Sequence, residues 1–135
     1  MENPSAPLRD GQTTILILDD ERMVLEVSRL ALTRAGYTVL TTADPDEAIA
    51  VADSYRGEIA LFITNCRLPD GRSGREIAEQ LLQSNPGLPV LHISGYPEVQ
   101  LRQEHTMTRG GFYLAKPFTP FQLVSKVREI LARSR

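Results

Sequence analysis

Short apolar runs alternate along this chain with stretches whose apolar residues recur at helical spacing. Ile15-Leu16-Ile17-Leu18, led by Thr14, is a continuous run of the kind found in a strand buried on both faces, and it stops at Asp19-Asp20-Glu21. From Met23 the positions Val24, Leu25, Val27, Leu30, Ala31 and Leu32 keep a helical period as far as Gly36, which is placed to stop a helix. Residues 37–42 read as a β-rich strand. Asp44-Pro45-Asp46-Glu47 then predicts a helix start, with Asp44 as N-cap, Pro45 in the first turn and Glu47 closing a capping box. Ala48, Ile49, Val51 and Ala52 are its expected buried face.

The same alternation continues to the C-terminus. Residues 58–64 predict a third strand, 75–83 a helix, 89–94 a fourth strand and 112–115 a fifth. Between the last two, residues 98–108 offer only Val99, Leu101 and Met107 as apolar anchors, so a short and loosely held helix is expected there. Thr119-Pro120 caps a final helix with an expected apolar stripe of Phe121, Val124, Val127, Ile130 and Leu131. Residues 1–12 carry Pro4, Ser5, Pro7 and Gly11 without periodicity and read as a linker or disordered lead; residues 13–135 form the globular unit.

Five strands alternating with five helices predict an α/β fold: a doubly wound, five-stranded parallel sheet, flavodoxin-like (βα)5, with strand order 2-1-3-4-5. That order sets the C-terminal ends of the first and third strands side by side, where such folds bind ligands. The residues delivered there are Asp19 and Asp20, Asn65, Ser94 from the fourth strand and Lys116 just past the fifth.

Composition narrows the function classes. The chain has 135 residues, 41% hydrophobic and 24% charged, which suits one soluble globular domain. A net charge of −2 provides no basic field for holding nucleic acid phosphates, so no nucleic acid partner is expected. The single cysteine, Cys66, allows no intramolecular disulfide and reads as an inert thiol suited to a reducing compartment. No apolar run reaches the roughly 18 residues of a membrane span and no signal-peptide stretch opens the chain, so a cytoplasmic location without membrane contact is expected.

Adjacent carboxylates after a buried strand suit Mg²⁺, which takes one or two carboxylates and keeps several waters. A hydroxyl at Ser94 and a cation at Lys116 suit a phosphoryl group. Arg67, Arg72 and Arg75 read as a solvated basic loop rather than an anion site, His92 as a core or boundary residue rather than a phosphodonor, and His105 as a surface residue.

Leu18-Asp19-Asp20-Glu21, the segment from Asn65 to Pro69, Ile93-Ser94-Gly95 and Ala115-Lys116-Pro117-Phe118 together resemble the four signature segments of the response-regulator receiver domains of two-component systems. The resemblance spans Thr13 to Arg133. It implies Asp19 and Asp20 as Mg²⁺ acids, the backbone carbonyl of Arg67 as a further ligand, Ser94 as the switch hydroxyl, Lys116 as the phosphoryl-sensing cation and Tyr113 as the switch aromatic. It also implies a cis bond between Lys116 and Pro117. The segment from Pro69 to Gly74 is one residue longer than the family's usual form, which bears on where the third helix starts.

Asn65 falls on the family's phosphoacceptor position, where an Asp stands. A carboxylate attacks phosphorus, whereas an amide's lone pairs are held in resonance. The chain is therefore expected to be a phosphorylation-silent receiver, metal sites Asp19, Asp20, Asn65 and Arg67 included, with Mg²⁺ held weakly. Asn65 reads equally as an engineered substitution or as the mark of a natural pseudo-receiver. The module is a signalling element rather than an enzyme, either stand-alone or part of a hybrid sensor histidine kinase. Its expected partners are a histidine kinase or phosphotransfer protein, with a target docking on residues 98–108, the fifth strand and the final helix.

Two other readings remain at this level. A haloacid-dehalogenase-like phosphatase would need an acidic pair after the fourth or fifth strand, and a flavodoxin-like cofactor binder would need a phosphate-cradling loop after the first.

Overall fold

The computed structural model describes residues 13–133, so the expected lead at 1–12 lies outside the described residues. In chain order the elements are β1 (Thr14–Leu18), α1 (Arg22–Arg34), β2 (Thr38–Thr42), α2 (Pro45–Ser54), β3 (Ile59–Asn65), α3 (Gly74–Ser84), β4 (Val90–Ser94), α4 (Glu98–Gln103), β5 (Phe112–Ala115) and α5 (Pro120–Arg133). The strands form one parallel sheet in the order β2-β1-β3-β4-β5, the doubly wound arrangement expected from the alternation.

The central strands are buried on both faces because each is covered by helices. On one face Ile15, Ile17, Leu61, Ile63, Leu91 and Ile93 pack against Leu32 of α1 and Leu123, Val127 and Ile130 of α5. On the other, Leu16, Leu18, Phe62 and Val90 meet Ala48 of α2 and Ile77, Ala78 and Leu81 of α3. Each fully buried Leu or Ile contributes about 2 kcal/mol. A smaller cluster of Cys66, Leu101 and Met107, with Tyr113 against it, seats α4.

The helix boundaries follow local chemistry. Gly36, at φ 105°, takes the left-handed conformation that ends α1. Asp44 accepts from the Glu47 backbone N–H at 2.9 Å, as expected of an N-cap. Glu47, however, does not close a capping box: its carboxylate accepts from the Thr42 hydroxyl, tying α2 to the end of β2. The reciprocal box is at α3, where Ser73 accepts from the Glu76 N–H and Glu76 from the Ser73 N–H.

α3 begins at Gly74, one residue before the expected start, because the extra loop residue is absorbed in a small hairpin. Arg67 and Ser73 form an antiparallel bridge, Leu68 N–H donates to the Arg72 carbonyl and Gly71 N–H to the Leu68 carbonyl. Gly74 then lies so close to β3 that a Cβ there would sit 2.1 Å from the Asn65 carbonyl oxygen.

Two apolar stripes differ from expectation. Phe121 is 78% exposed and Leu123 takes the core position on α5, because residues 123, 127 and 130 share the face turned to the sheet. On α1, Met23, Val27 and Leu30 are exposed while Ser28 and Leu32 are buried.

Candidate functional site

Strand register assembles the site. Leu18 pairs with Thr64, Asn65 with Ile93 and Ser94 with Ala115, so the residues that follow β1 and end β3, β4 and β5 meet along one sheet edge. The backbone continues the ladder past the strands: Asp19 N–H donates to Thr42, Cys66 N–H to Ile93 and Lys116 N–H to Ser94. The residues singled out from the sequence, Asp19, Asp20, Asn65, Ser94 and Lys116, are thus brought together.

Asn65 is buried and its amide bridges the acids. Nδ2 donates to Asp19 Oδ1 at 2.9 Å and to Asp20 Oδ1 at 3.1 Å, while Oδ1 is buried with no hydrogen-bond partner among the described residues. Such an orphaned acceptor is costly and marks a place where a further group would be accommodated. Asp19 is buried as well, and that burial raises its pKa above the usual carboxylate value despite the Glu21 N–H at 2.8 Å, the Lys116 charge and the Asn65 amide, which all oppose the rise. Asp20 is exposed.

Lys116 Nζ lies 3.5 Å from Asp19 Oδ2 and is ion-paired with Glu21. The bond between Lys116 and Pro117 is cis, as the resemblance implies. Ser94 Oγ accepts from the Tyr96 N–H at 3.0 Å, and the Tyr113 hydroxyl donates to the Tyr96 carbonyl at 2.6 Å. A cavity of about 130 Å³ opens between Asn65, Cys66, Arg67, Ser94, Tyr96 and Lys116. Burial pushes the Cys66 thiol up to about 12, so it stays protonated and unreactive.

The basic loop is neutralised within the fold. Arg72 pairs with Asp70 and, across to α2, with Asp46; Arg75 pairs with Glu79; Arg67 pairs with Glu104. Tyr96, which the sequence places in the Ser94-Gly95-Tyr96 turn after the fourth strand without a site role, contacts Ser94, Tyr113 and Arg67. His92 is fully buried, accepting from the Thr108 N–H at Nε2, and is a core residue; His105 is exposed. Leu101 and Met107 are buried and Val99 is exposed, so α4 and the loop after it rest on two apolar anchors plus the bond to His92.

As oxygen donors, Asp19 and Asp20 suit Mg²⁺, but the group facing the two carboxylates is an N–H₂ where a third acid would face a cation. Among the described residues no three His, Cys, Asp or Glu side chains gather as a metal site, and no helix is long and apolar enough to cross a membrane.

Residues 15–128 match the Response regulator receiver domain family. "Probable transcriptional regulatory protein TcrX" of Mycobacterium tuberculosis is 34% identical over 126 residues, 93% of this chain and 53% of that protein. Sensor kinase CckA of Brucella abortus is 28% identical over 91% of this chain and 13% of its own length, so the chain spans about half or less of these relatives. Among solved structures, a response regulator receiver protein from Sinorhizobium medicae superposes with a TM-score of 0.79 at 28% identity, covering 91% of this chain and 97% of that one. The receiver domain of the hybrid histidine kinase CckA gives a TM-score of 0.73 at 30% identity, covering 87% and 98%. With the sheet order, the acid pair and the Ser and Lys positions already in place, the chain belongs to the response regulator receiver domain family of two-component signalling.

Proposed function

We propose that this chain is a receiver module of a two-component phosphorelay that takes up no phosphoryl group and acts through protein contacts. The observation that carries the reading is the Asn65 amide at the end of β3, donating to both Asp19 and Asp20. In a receiver that accepts phosphate, a carboxylate oxygen at that place attacks phosphorus and the donor's leaving group departs; the uncharged amide oxygen is too weak a nucleophile for that attack.

Receiver domains generally bind Mg²⁺ at their acidic pocket, and here Asp19, Asp20 and the Arg67 carbonyl would hold it, with Asn65 as the uncharged member of the set. The ion would supply charge neutralisation for an incoming phosphoryl group. One carboxylate fewer makes the affinity low. Ser94, Lys116 and Tyr113 keep the positions of switch hydroxyl, sensing cation and switch aromatic, with Lys116 engaged by Glu21 and Asp19 in the resting arrangement.

Receiver domains meet histidine kinases and phosphotransfer proteins. We assign the target surface to residues 98–108, β5 and α5, where Val99 and Phe121 are exposed, with Tyr96 exposed just before it beside the switch residues. A second contact surface is favoured by a groove of about 410 Å³ along α1, lined by Met23, Val24, Val27, Pro117 and Phe118 and reaching Lys116, which suits the kinase or phosphotransfer partner. A cytoplasmic site of action fits both partners. The phosphatase and cofactor-binding alternatives lack support: β4 ends in Ser94 and β5 leads to Lys116 rather than to an acidic pair, and acids follow β1 where a phosphate cradle would stand.

Incubation with acetyl phosphate and Mg²⁺, read by intact mass, tests the reading. No adduct is expected on this chain, and Asn65→Asp should gain one. A phosphoryl adduct on the chain with Asn65 in place would overturn it.

A further inference from the structure

Tyr96 is held at three points by residues from three parts of the chain. Its N–H donates to Ser94 Oγ at 3.0 Å, its carbonyl accepts from the Tyr113 hydroxyl at 2.6 Å, and its ring lies 4.2 Å beneath the Arg67 guanidinium. Arg67 also ion-pairs with Glu104, the C-cap residue of α4. One side chain, two residues past Asn65, therefore straps both the start and the end of the α4 segment to the β3–α3 hairpin.

We propose that Arg67 is a positioning residue that latches Tyr96 and α4 over the site, and that this latch sets the resting state of the switch face in this chain. The inference deepens the reading above, on which its meaning as a switch rests: with no aspartyl phosphate to draw Ser94 inward, the α4 equilibrium is governed by contacts that involve no phosphoryl group. Because the Tyr96 backbone carries the bonds of both Ser94 and Tyr113, opening the latch releases the two switch residues together. The planar guanidinium suits the double duty, since it stacks on a ring and presents N–H groups at its edge, which a lysine ammonium does not.

The latch is exposed, so each contact is modest: Arg67 and Glu104 side chains are 46% and 40% exposed. A stacked cation and a surface ion pair lost together shift a local opening equilibrium about fivefold.

Amide hydrogen exchange on the full chain, without any phosphodonor, tests this. Arg67→Ala and Glu104→Gln should speed exchange of residues 96–104, the Tyr96 amide included, with Arg67→Ala reaching about fivefold and α1 unchanged. Arg67→Lys should fall between Arg67→Ala and the starting chain. Adding Glu104→Arg to Arg67→Glu should slow exchange again relative to Arg67→Glu alone, a rescue that a merely space-filling role would not give. Unchanged exchange in Arg67→Ala, an equal acceleration across α1, or the absence of rescue would overturn the proposal. Since no phosphoryl group is involved, failure here leaves the phosphorylation-silent reading standing, and an adduct on Asn65-bearing chain would leave the latch measurement standing.

Discussion

Acidification is expected to weaken this fold through His92. The imidazole is fully buried on β4, its Nε2 accepts from the Thr108 N–H at 3.0 Å, and its proton therefore sits on Nδ1, which has no partner. Burial, with the charges of Arg102 and Arg75 adding to it, lowers its pKa to about 4. Protonation would put a second donor opposite the Thr108 N–H and a charge in the core. Since the folded value lies below the unfolded one of about 6.5, the stabilisation is fully present above the unfolded value and is lost as pH falls toward the folded one. A difference of about 2.5 units corresponds to roughly 3 kcal/mol in total, of which about 2 kcal/mol should be lost between pH 7 and pH 5. Urea unfolding at several pH values in that window, on this chain and on His92→Gln, isolates the effect. The glutamine amide offers Thr108 an acceptor but cannot titrate, and all other groups are common to both. His92→Gln should show a pH slope smaller by that amount. Identical slopes, or a chain that gains stability through His92 as pH falls, would refute the reasoning.

Asn65→Asp should become metal-dependent in stability: replacing the bridging amide by a third carboxylate near Asp19 and Asp20 should cost about 1 kcal/mol in EDTA and be offset by Mg²⁺, as thermal melting will read. Equal or higher stability of the Asp form in EDTA counts against it. On α5, Leu123→Ala should cost about 3 kcal/mol and Phe121→Ala less than about 0.5 kcal/mol in urea unfolding, since the first empties a fully buried position and the second a largely exposed one.

The strands were legible because a strand covered on both faces must be apolar throughout, and Ile15 to Leu18 and Ile59 to Ile63 are. The site's members were legible because each closes or follows a strand and the order 2-1-3-4-5 fixes which ends meet. What escaped was set by side-chain direction and by long-range pairing. Phe121 and Leu123 are both apolar, and only the packing of α5 on the sheet decides which is buried. Ser73 and Glu76 have capping-box spacing that was readable, whereas Glu47 has it too and bonds Thr42 instead, because the end of β2 lies within reach. The Arg67 to Glu104 and His92 to Thr108 pairs join residues 37 and 16 positions apart, with no local pattern to announce them.

The hairpin between β3 and α3 separates loop length from site geometry. Its base is pinned by the bridge between Arg67 and Ser73 and by Gly74 lying against the Asn65 carbonyl, while its tip at Pro69, Asp70 and Gly71 is exposed. Residues added at the tip lengthen an excursion that begins and ends at the same two points, so Asp19, Asn65 and Arg67 keep their relative places. The tip is thus a natural splice point, where a reporter or an affinity handle can be carried a few residues from the acid pocket without entering it.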